Sequence, residues 1–306
     1  MKKGVVTILA LLLLATGSKG EIWDGEFINT KEGFSTTSTV VNFKNAWAST
    51  VPFLFFTKAA NGYGVGLSAA SGVIVFKRQE KNFAYLGILT AAHVLRTRPE
   101  NIHPDVPVTV VPFKEFASDL QKENILTIKQ FDGANIISQT IAPKADLAFV
   151  VIKVSSNEGL QASAAKLVRN CNLKKGDPIA LIGYPSAYFR STMVQRIPID
   201  QHSLVVKRVS TGFFEGESGQ IEGVTGVSYG TTVDSLPGNS GGPAINKEGE
   251  VVGISSGSLI DDDYKYYGQE VTQSLKPHSY IVGCQASKDF AKNSWQKFIQ
   301  SLPQAL

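Results

Sequence analysis

The chain has 306 residues, 43% of them hydrophobic and 18% charged, and its 30 basic residues face 26 acidic ones. Three of the basic residues (Lys2, Lys3 and Lys19) lie in a leader, so the remaining chain is close to neutral and offers no argument for a nucleic acid or an anionic membrane as partner. Glycine is frequent, and the length after the leader suits one all-β unit better than two independent domains, because such units often exceed the usual domain size.

Met1-Lys2-Lys3, the apolar run 5–15 and the small residues Gly17, Ser18 and Gly20 read as a signal peptide over residues 1–20, with cleavage after Gly17 and after Gly20 both fitting. The run is too short to span a bilayer as a mature helix. No cysteine follows it, which argues against a lipid anchor. The expectation is a soluble exported protein, periplasmic or extracellular, with no stable membrane insertion after cleavage. Residues 21–49 read as a polar extension rich in Thr and Ser. Short β-branched and aromatic runs then alternate with turn residues, and 72–76, 84–89, 106–111, 179–182, 203–209 and 251–255 are predicted strands. There is no internal repeat and no low-complexity linker. The last segment reads as a helix over about 287–302: Phe290, Trp295, Phe298, Ile299 and Leu302 share one face, with Ser287 as candidate N-cap. That stripe is core packing, not a cofactor site.

Three motifs carry chemistry. In Leu89-Thr90-Ala91-Ala92-His93-Val94-Leu95 a long apolar run ends in two small residues and a histidine, as if a buried strand delivered the imidazole to a cleft edge. Of His93, His103, His202 and His278, only His93 has this setting. In Lys144-Ala145-Asp146-Leu147-Ala148-Phe149 a carboxylate stands at the mouth of an apolar strand. In Pro237-Gly238-Asn239-Ser240-Gly241-Gly242-Pro243, glycines flank a serine and let the backbone bend sharply, pointing N–H groups at one spot. A serine hydroxyl needs a base to take its proton and donors for the oxyanion formed on attack. Singly, these motifs are a core histidine, a strand-start aspartate and a glycine-rich turn. Together they give the order His…Asp…Ser, that of the chymotrypsin-type triad and not of subtilisin or the α/β-hydrolases.

On these residues the chain resembles the trypsin/chymotrypsin-like serine peptidases, in particular their bacterial, cysteine-poor members. Ser71-Gly72-Val73-Ile74 and the serine motif are also similar to the protease domain of the HtrA group. The resemblance runs from about Val51 to the C-terminus, and the length after Ser240 is expected to leave no room for an HtrA-type peptide-binding (PDZ) domain. It implies an all-β fold of two six-stranded antiparallel β-barrels of the chymotrypsin type, with the active site between them and a C-terminal α-helix. The peptidase domain is placed at 50–306, with the first barrel at about 50–160 and the second at about 175–283.

The resemblance further implies a serine endopeptidase acting on a protein or peptide substrate, with no metal and no cofactor. Ser240 is the nucleophile, His93 the base, Asp146 its orienter, and the Gly238 and Ser240 N–H groups the oxyanion hole. Two alternatives stay open: an inactive trypsin-fold binding or scaffold protein, and an esterase using the same triad. The residues carry no signal for an oligomeric state. The run Asp261-Asp262-Asp263 reads as a solvated turn, lacking the spaced ligands of a calcium loop. Cys284, after Lys276-Pro277 and Tyr280, and Cys171, before Gly183-Tyr184-Pro185, resemble a trypsin cysteine pair. A Cys171–Cys284 bridge is therefore implied, the rival being two free buried thiols.

For the substrate pocket the resemblance aligns Asp234 with the carboxylate at the base of the trypsin pocket, which implies preference for Arg or Lys through a charge-assisted pair. Cysteine-poor bacterial relatives often carry Asp there without that preference. His278 falls where trypsin keeps a glycine, with Ser255, Ser256, Gly257 and Ser258 as the adjoining wall, so a shallower pocket is expected. Asn239 replaces the acid that trypsin pairs with its freshly cut N-terminus. Val40-Val41-Asn42-Phe43 stands where that N-terminus would begin and lacks the usual glycines. Activity without N-terminal insertion is therefore expected, with the extension 21–49 inhibiting, trimmed or neutral.

Overall fold

A computed structural model of the chain describes residues 40–58, 65–95, 109–110, 136–184, 207–218, 228–233, 235, 238–258 and 279–303. The leader, the extension up to residue 39, Asp234, Asp261-Asp262-Asp263 and His278 lie outside the described residues, as do 106–108, 111 and 203–206 of the predicted strands.

Helix α1 (Val40–Ser49) leads directly into strand β1 (Thr50–Lys58), so the last ten residues of the expected polar extension are helical. The reason is local: Phe43, Ala46 and Trp47 share one helical face and pack onto the core of the first sheet. That sheet holds β2 (Val65–Gln79), β3 (Phe83–Thr90), β4 (Thr109–Val110), β5 (Ile136–Ala142) and β6 (Leu147–Ser155) as well as β1. Its order is β4-β1-β2-β3-β6-β5, and its pairs are antiparallel. Between β3 and β4 runs the short helix α2 (Ala92–Leu95), and after β6 comes α3 (Ser156–Gln161), started by a capping box between Ser155 and Glu158.

The second sheet closes into a barrel in the order β10-β11-β12-β9-β8-β7. Its strands are β7 (Pro178–Gly183), β8 (Arg208–Ser218), β9 (Ser228–Thr231), β10 (Pro243–Ile245), β11 (Val251–Ser258) and β12 (Ser279–Val282). Six strands per sheet and antiparallel pairing throughout agree with the chymotrypsin-type expectation. Closure is described for the second sheet. In the first, the described pairings leave the two-residue β4 and β5 as the outer strands.

Burial follows the sequence pattern. Strands β3 and β6 are nearly continuous apolar runs because they are covered on both faces; Leu86, Ile88, Leu89, Leu147, Phe149, Val150, Val151 and Ile152 are all buried. The outer cover is the C-terminal helix α4 (Cys284–Ser301). Trp295 stacks on Phe76 at 5.5 Å and meets Phe149 edge-on at 6.4 Å, while Phe298 sits edge-on to Tyr85 at 5.1 Å. A Cβ on Gly87 would lie 2.6 Å from Phe149 Cζ and 2.9 Å from Trp295 Cε3, so the indole needs a bare backbone beneath it.

The helix starts three residues before the sequence expectation, and Ser287 is not its N-cap. Gly283, extended at φ −61° and ψ 155°, holds that position. Ser287 falls in the first turn, is buried, and donates its hydroxyl to Val282 O at 3.2 Å. The apolar stripe is core packing as expected: Phe290, Trp295, Phe298, Ile299 and Leu302 all lie against the first sheet's core.

A disulfide joins Cys171, in the segment between the two sheets, to Cys284 at the head of α4, with Cα atoms 5.6 Å apart and a sequence separation of 113. A cross-link over so long a loop is worth up to about 4–5 kcal/mol in the chain-entropy account. Reduction should therefore lower the denaturant midpoint clearly, and a non-reduced digest should yield the two cysteine peptides linked. Unlinked peptides, or equal midpoints with and without reductant, would contradict the bridge.

Candidate active site

Strand β3 ends at Thr90, and the buried small residues Ala91 and Ala92 let the chain turn tightly into α2. His93 emerges there with its imidazole half-exposed and its other side anchored. His93 N–H donates to Asp146 Oδ1 at 2.9 Å, and Nδ1 lies 2.9 Å from Oδ2 and 3.1 Å from Oδ1. A carboxylate can only accept, so this contact places the Nδ1 proton toward Asp146 and leaves Nε2 as the basic nitrogen of the neutral ring.

Asp146 reaches this position through a local irregularity. A 3₁₀ turn, Pro143–Ala145, precedes it, and Asp146 itself is left-handed at φ 48°. It is the one non-glycine residue with positive φ among the described residues, and aspartate is among the few side chains that tolerate this. Its N–H donates to Pro143 O at 3.2 Å and its carbonyl accepts Ala92 N–H at 3.1 Å, so main chain and side chain both grip the histidine turn. From the second barrel, Ser256 Oγ donates to Asp146 Oδ2 at 2.5 Å. Burial by itself would push the carboxyl up. The His93 ring, the Ser256 hydroxyl and His93 N–H outweigh it and hold the group below the ordinary carboxylate value.

The residues 238–242 form a tight turn in which the carbonyls of Gly238, Asn239 and Ser240 are each held by a donor. Ser71 Oγ donates to Gly238 O at 2.7 Å, Gly242 N–H to Asn239 O at 2.9 Å, and Ser71 N–H to Ser240 O at 2.8 Å. Gly238 and Gly241 have φ of 103° and 84°, values that side-chain-bearing residues rarely adopt. A Cβ on Gly241 would sit 2.1 Å from both Ser71 O and Thr90 Oγ1, so the turn nests against the end of β3, just before His93. The Gly238 and Ser240 N–H groups have no acceptor among the described residues. Asn239 is buried, and its Oδ1 has no partner among the described residues.

The structure thus brings His93 and Asp146 into direct contact and seats the Ser240 turn against residues 90–91. Cys171 and Cys284 form the bridge described above. Ser258 ends β11, and of the pocket positions Asp234 and His278 lie outside the described residues. Ser256, expected in the pocket wall, spends its hydroxyl on Asp146. The pairing of β11 with β12 shifts register between Ser255 and Gly257, a bulge that re-aims the intervening side chain. Two serines carry roles that the sequence reading did not give them, Ser256 and Ser71. No local signal marked either, since each lies in a strand that carries other polar residues.

The family described as trypsin-like peptidase domain matches residues 70–254, and the chain belongs to that family. The chain is 24% identical over 240 residues to the serine protease Do-like HtrA of Bacillus subtilis (strain 168), covering 78% of this chain and 44% of that protein. It is 30% identical over 153 residues to exfoliative toxin A of Staphylococcus aureus, covering 48% of this chain and 47% of the toxin. The chain therefore spans about half the length of the curated relatives it matches. Among solved structures it is similar in fold to an HtrA-type protease, AlgW with decapeptide, at TM-score 0.51 and 14% identity, over 85% of this chain and 68% of that one. No helix among the described residues is long and apolar enough to cross a membrane.

The Ser256 contact makes a pH-dependent prediction. Because the folded Asp146 carboxyl ionises below its ordinary value of 3.8, its stabilising contribution is complete above that pH and is lost as pH falls through the lower folded value. Ser256→Ala removes a donor to the ionised form and raises the folded value. Acid unfolding, followed by circular dichroism, should then begin at higher pH, with about 1–3 kcal/mol lost near neutrality. Coincident acid profiles would show that the contact carries no such weight.

Proposed function

We propose that this protein is an exported serine endopeptidase that hydrolyses peptide bonds through His93, Asp146 and Ser240. One observation carries the reading: a buried aspartate paired with a half-exposed histidine stands beside the glycine turn of Ser240, in a chain of the trypsin-like peptidase family. Ser240 Oγ attacks the scissile carbonyl carbon while His93 Nε2 takes the hydroxyl proton, and the carbonyl electron pair moves to oxygen. Gly238 and Ser240 N–H, with no acceptor among the described residues, receive that oxyanion. The tetrahedral intermediate collapses, the C–N bond breaks, and His93 returns its proton to the leaving amine. Water, deprotonated by the same imidazole, then releases the acid and restores Ser240. Asp146, held ionised by its donors, keeps the imidazole oriented and balances the imidazolium.

The leader-like first twenty residues and the disulfide, a cross-link rare in reducing compartments, both support export. Asp234, Ser258 and His278 are assigned to the substrate pocket, with His278 shortening it so that long basic side chains are not favoured. Asn239 lacks the charge for an ion pair with a new N-terminus, so activity is assigned to the chain without that insertion.

The chain without its leader should cleave members of a peptide library. Ser240→Ala and His93→Ala should each lower kcat by about 10⁴-fold or more, and Asp146→Asn by roughly 10⁴-fold. A folded native chain that cleaves nothing, or a Ser240→Ala chain that cleaves as well as native, would sink the reading.

A further inference from the structure

Ser71 lies in β2 of the first sheet, fully buried, at the point where that sheet touches the serine turn of the second barrel. Its hydroxyl has two partners of fixed role. Tyr184 N–H can only donate and does so to Ser71 Oγ at 2.9 Å, while Gly238 O can only accept and does so at 2.7 Å. The hydroxyl proton is therefore committed to Gly238. Ser71 N–H meanwhile holds Ser240 O at 2.8 Å, and Thr90 Oγ1 holds Ser71 O at 2.7 Å, which fixes the serine from its own main chain.

The consequence falls on the peptide units of the turn. In a planar trans peptide, C=O and N–H point in opposite directions, so anchoring a carbonyl aims the N–H of the same unit. The Asn239 carbonyl is held by Gly242 N–H, which aims Ser240 N–H. Gly238, at φ 103° and without a Cβ, is the hinge next to it. Its carbonyl is pinned by one contact among the described residues, the Ser71 hydroxyl.

We propose that Ser71 is a positioning residue for catalysis: its hydroxyl fixes the Gly238–Asn239 peptide plane, the link between the two donors, so that the Gly238 and Ser240 N–H groups on either side of that plane converge on the substrate oxyanion; this rests on the peptidase reading above. Ser71 meets the turn through Gly238 O and Ser240 O, not through the Ser240 hydroxyl. It acts from the first sheet on a turn carried by the second, so it also makes the donor geometry depend on how the two sheets meet.

The test compares the native chain with Ser71→Ala and Ser71→Cys, the latter keeping size while weakening the donor. Turnover of a cleaved peptide, melting temperature and the affinity of a peptide aldehyde, whose hemiacetal oxygen occupies the oxyanion position, are measured for each. Ser71→Ala should lower kcat roughly 10- to 100-fold and weaken the aldehyde by a similar factor, with KM within about 3-fold of native. Ser71→Cys should fall between, and it carries the comparison if Ser71→Ala does not fold. Values of kcat and aldehyde affinity within about 2-fold of native in a folded variant, or a rise in KM alone, would overturn the proposal while leaving the peptidase reading standing. A native chain without turnover would instead remove the reading on which it rests.

Discussion

The structure depends on one buried carboxylate. Asp146 is 6% exposed, and an ionised group in such a place is expensive unless every lone pair is met. Its donors come from both layers of the fold: the His93 ring and N–H from the turn after β3, and the Ser256 hydroxyl from β11 of the barrel. Removing either layer would leave the charge short of a partner. The carboxylate that orients the histidine is therefore also the one that Ser256 ties to the second barrel, and the fold and the chemistry share an anchor.

Around that anchor, regular strands supply rigidity and local irregularities supply the aim. The left-handed turn at Asp146, the register shift beside Ser256, and the positive-φ glycines at 238 and 241 each occur where a side chain or an N–H must point away from the direction its strand would dictate. The supporting core has no such breaks. Helix α4 closes it with Trp295 against Phe76 and Phe149, and the disulfide ties the head of that helix to the segment joining the two sheets.

Much of this was legible in the sequence, for reasons that can be named. His93 stood out because an apolar strand, then two alanines, could only deliver a polar residue to an edge. The strands at 84–89 and 251–255 were visible because they are apolar on both faces, and the C-terminal stripe because its spacing is helical. What escaped was whatever depends on contact across the chain. Nothing local separates Ser287 from a genuine N-cap; the structure decides for Gly283 because the strand before it ends in an extended residue. The run Ser255-Ser256-Gly257-Ser258 contains no sign of which hydroxyl turns toward Asp146, since a bulge in a pairing with β12 settles it. Ser71 is plain in sequence, and its partners are far along the chain, at Tyr184 and Gly238. The helix at Val40–Ser49 was hidden by the polar residues between Phe43, Ala46 and Trp47 and by reading the segment as part of a longer polar stretch.

The central claim is that Ser240 is a nucleophile activated by the His93–Asp146 pair. Its most direct measurement is exposure of the intact, folded chain to a fluorophosphonate, followed by mapping of the adduct by mass spectrometry. The account predicts a single adduct, on Ser240, whose formation collapses in His93→Ala. A folded chain that stays unlabelled, or an adduct on another residue, would contradict it.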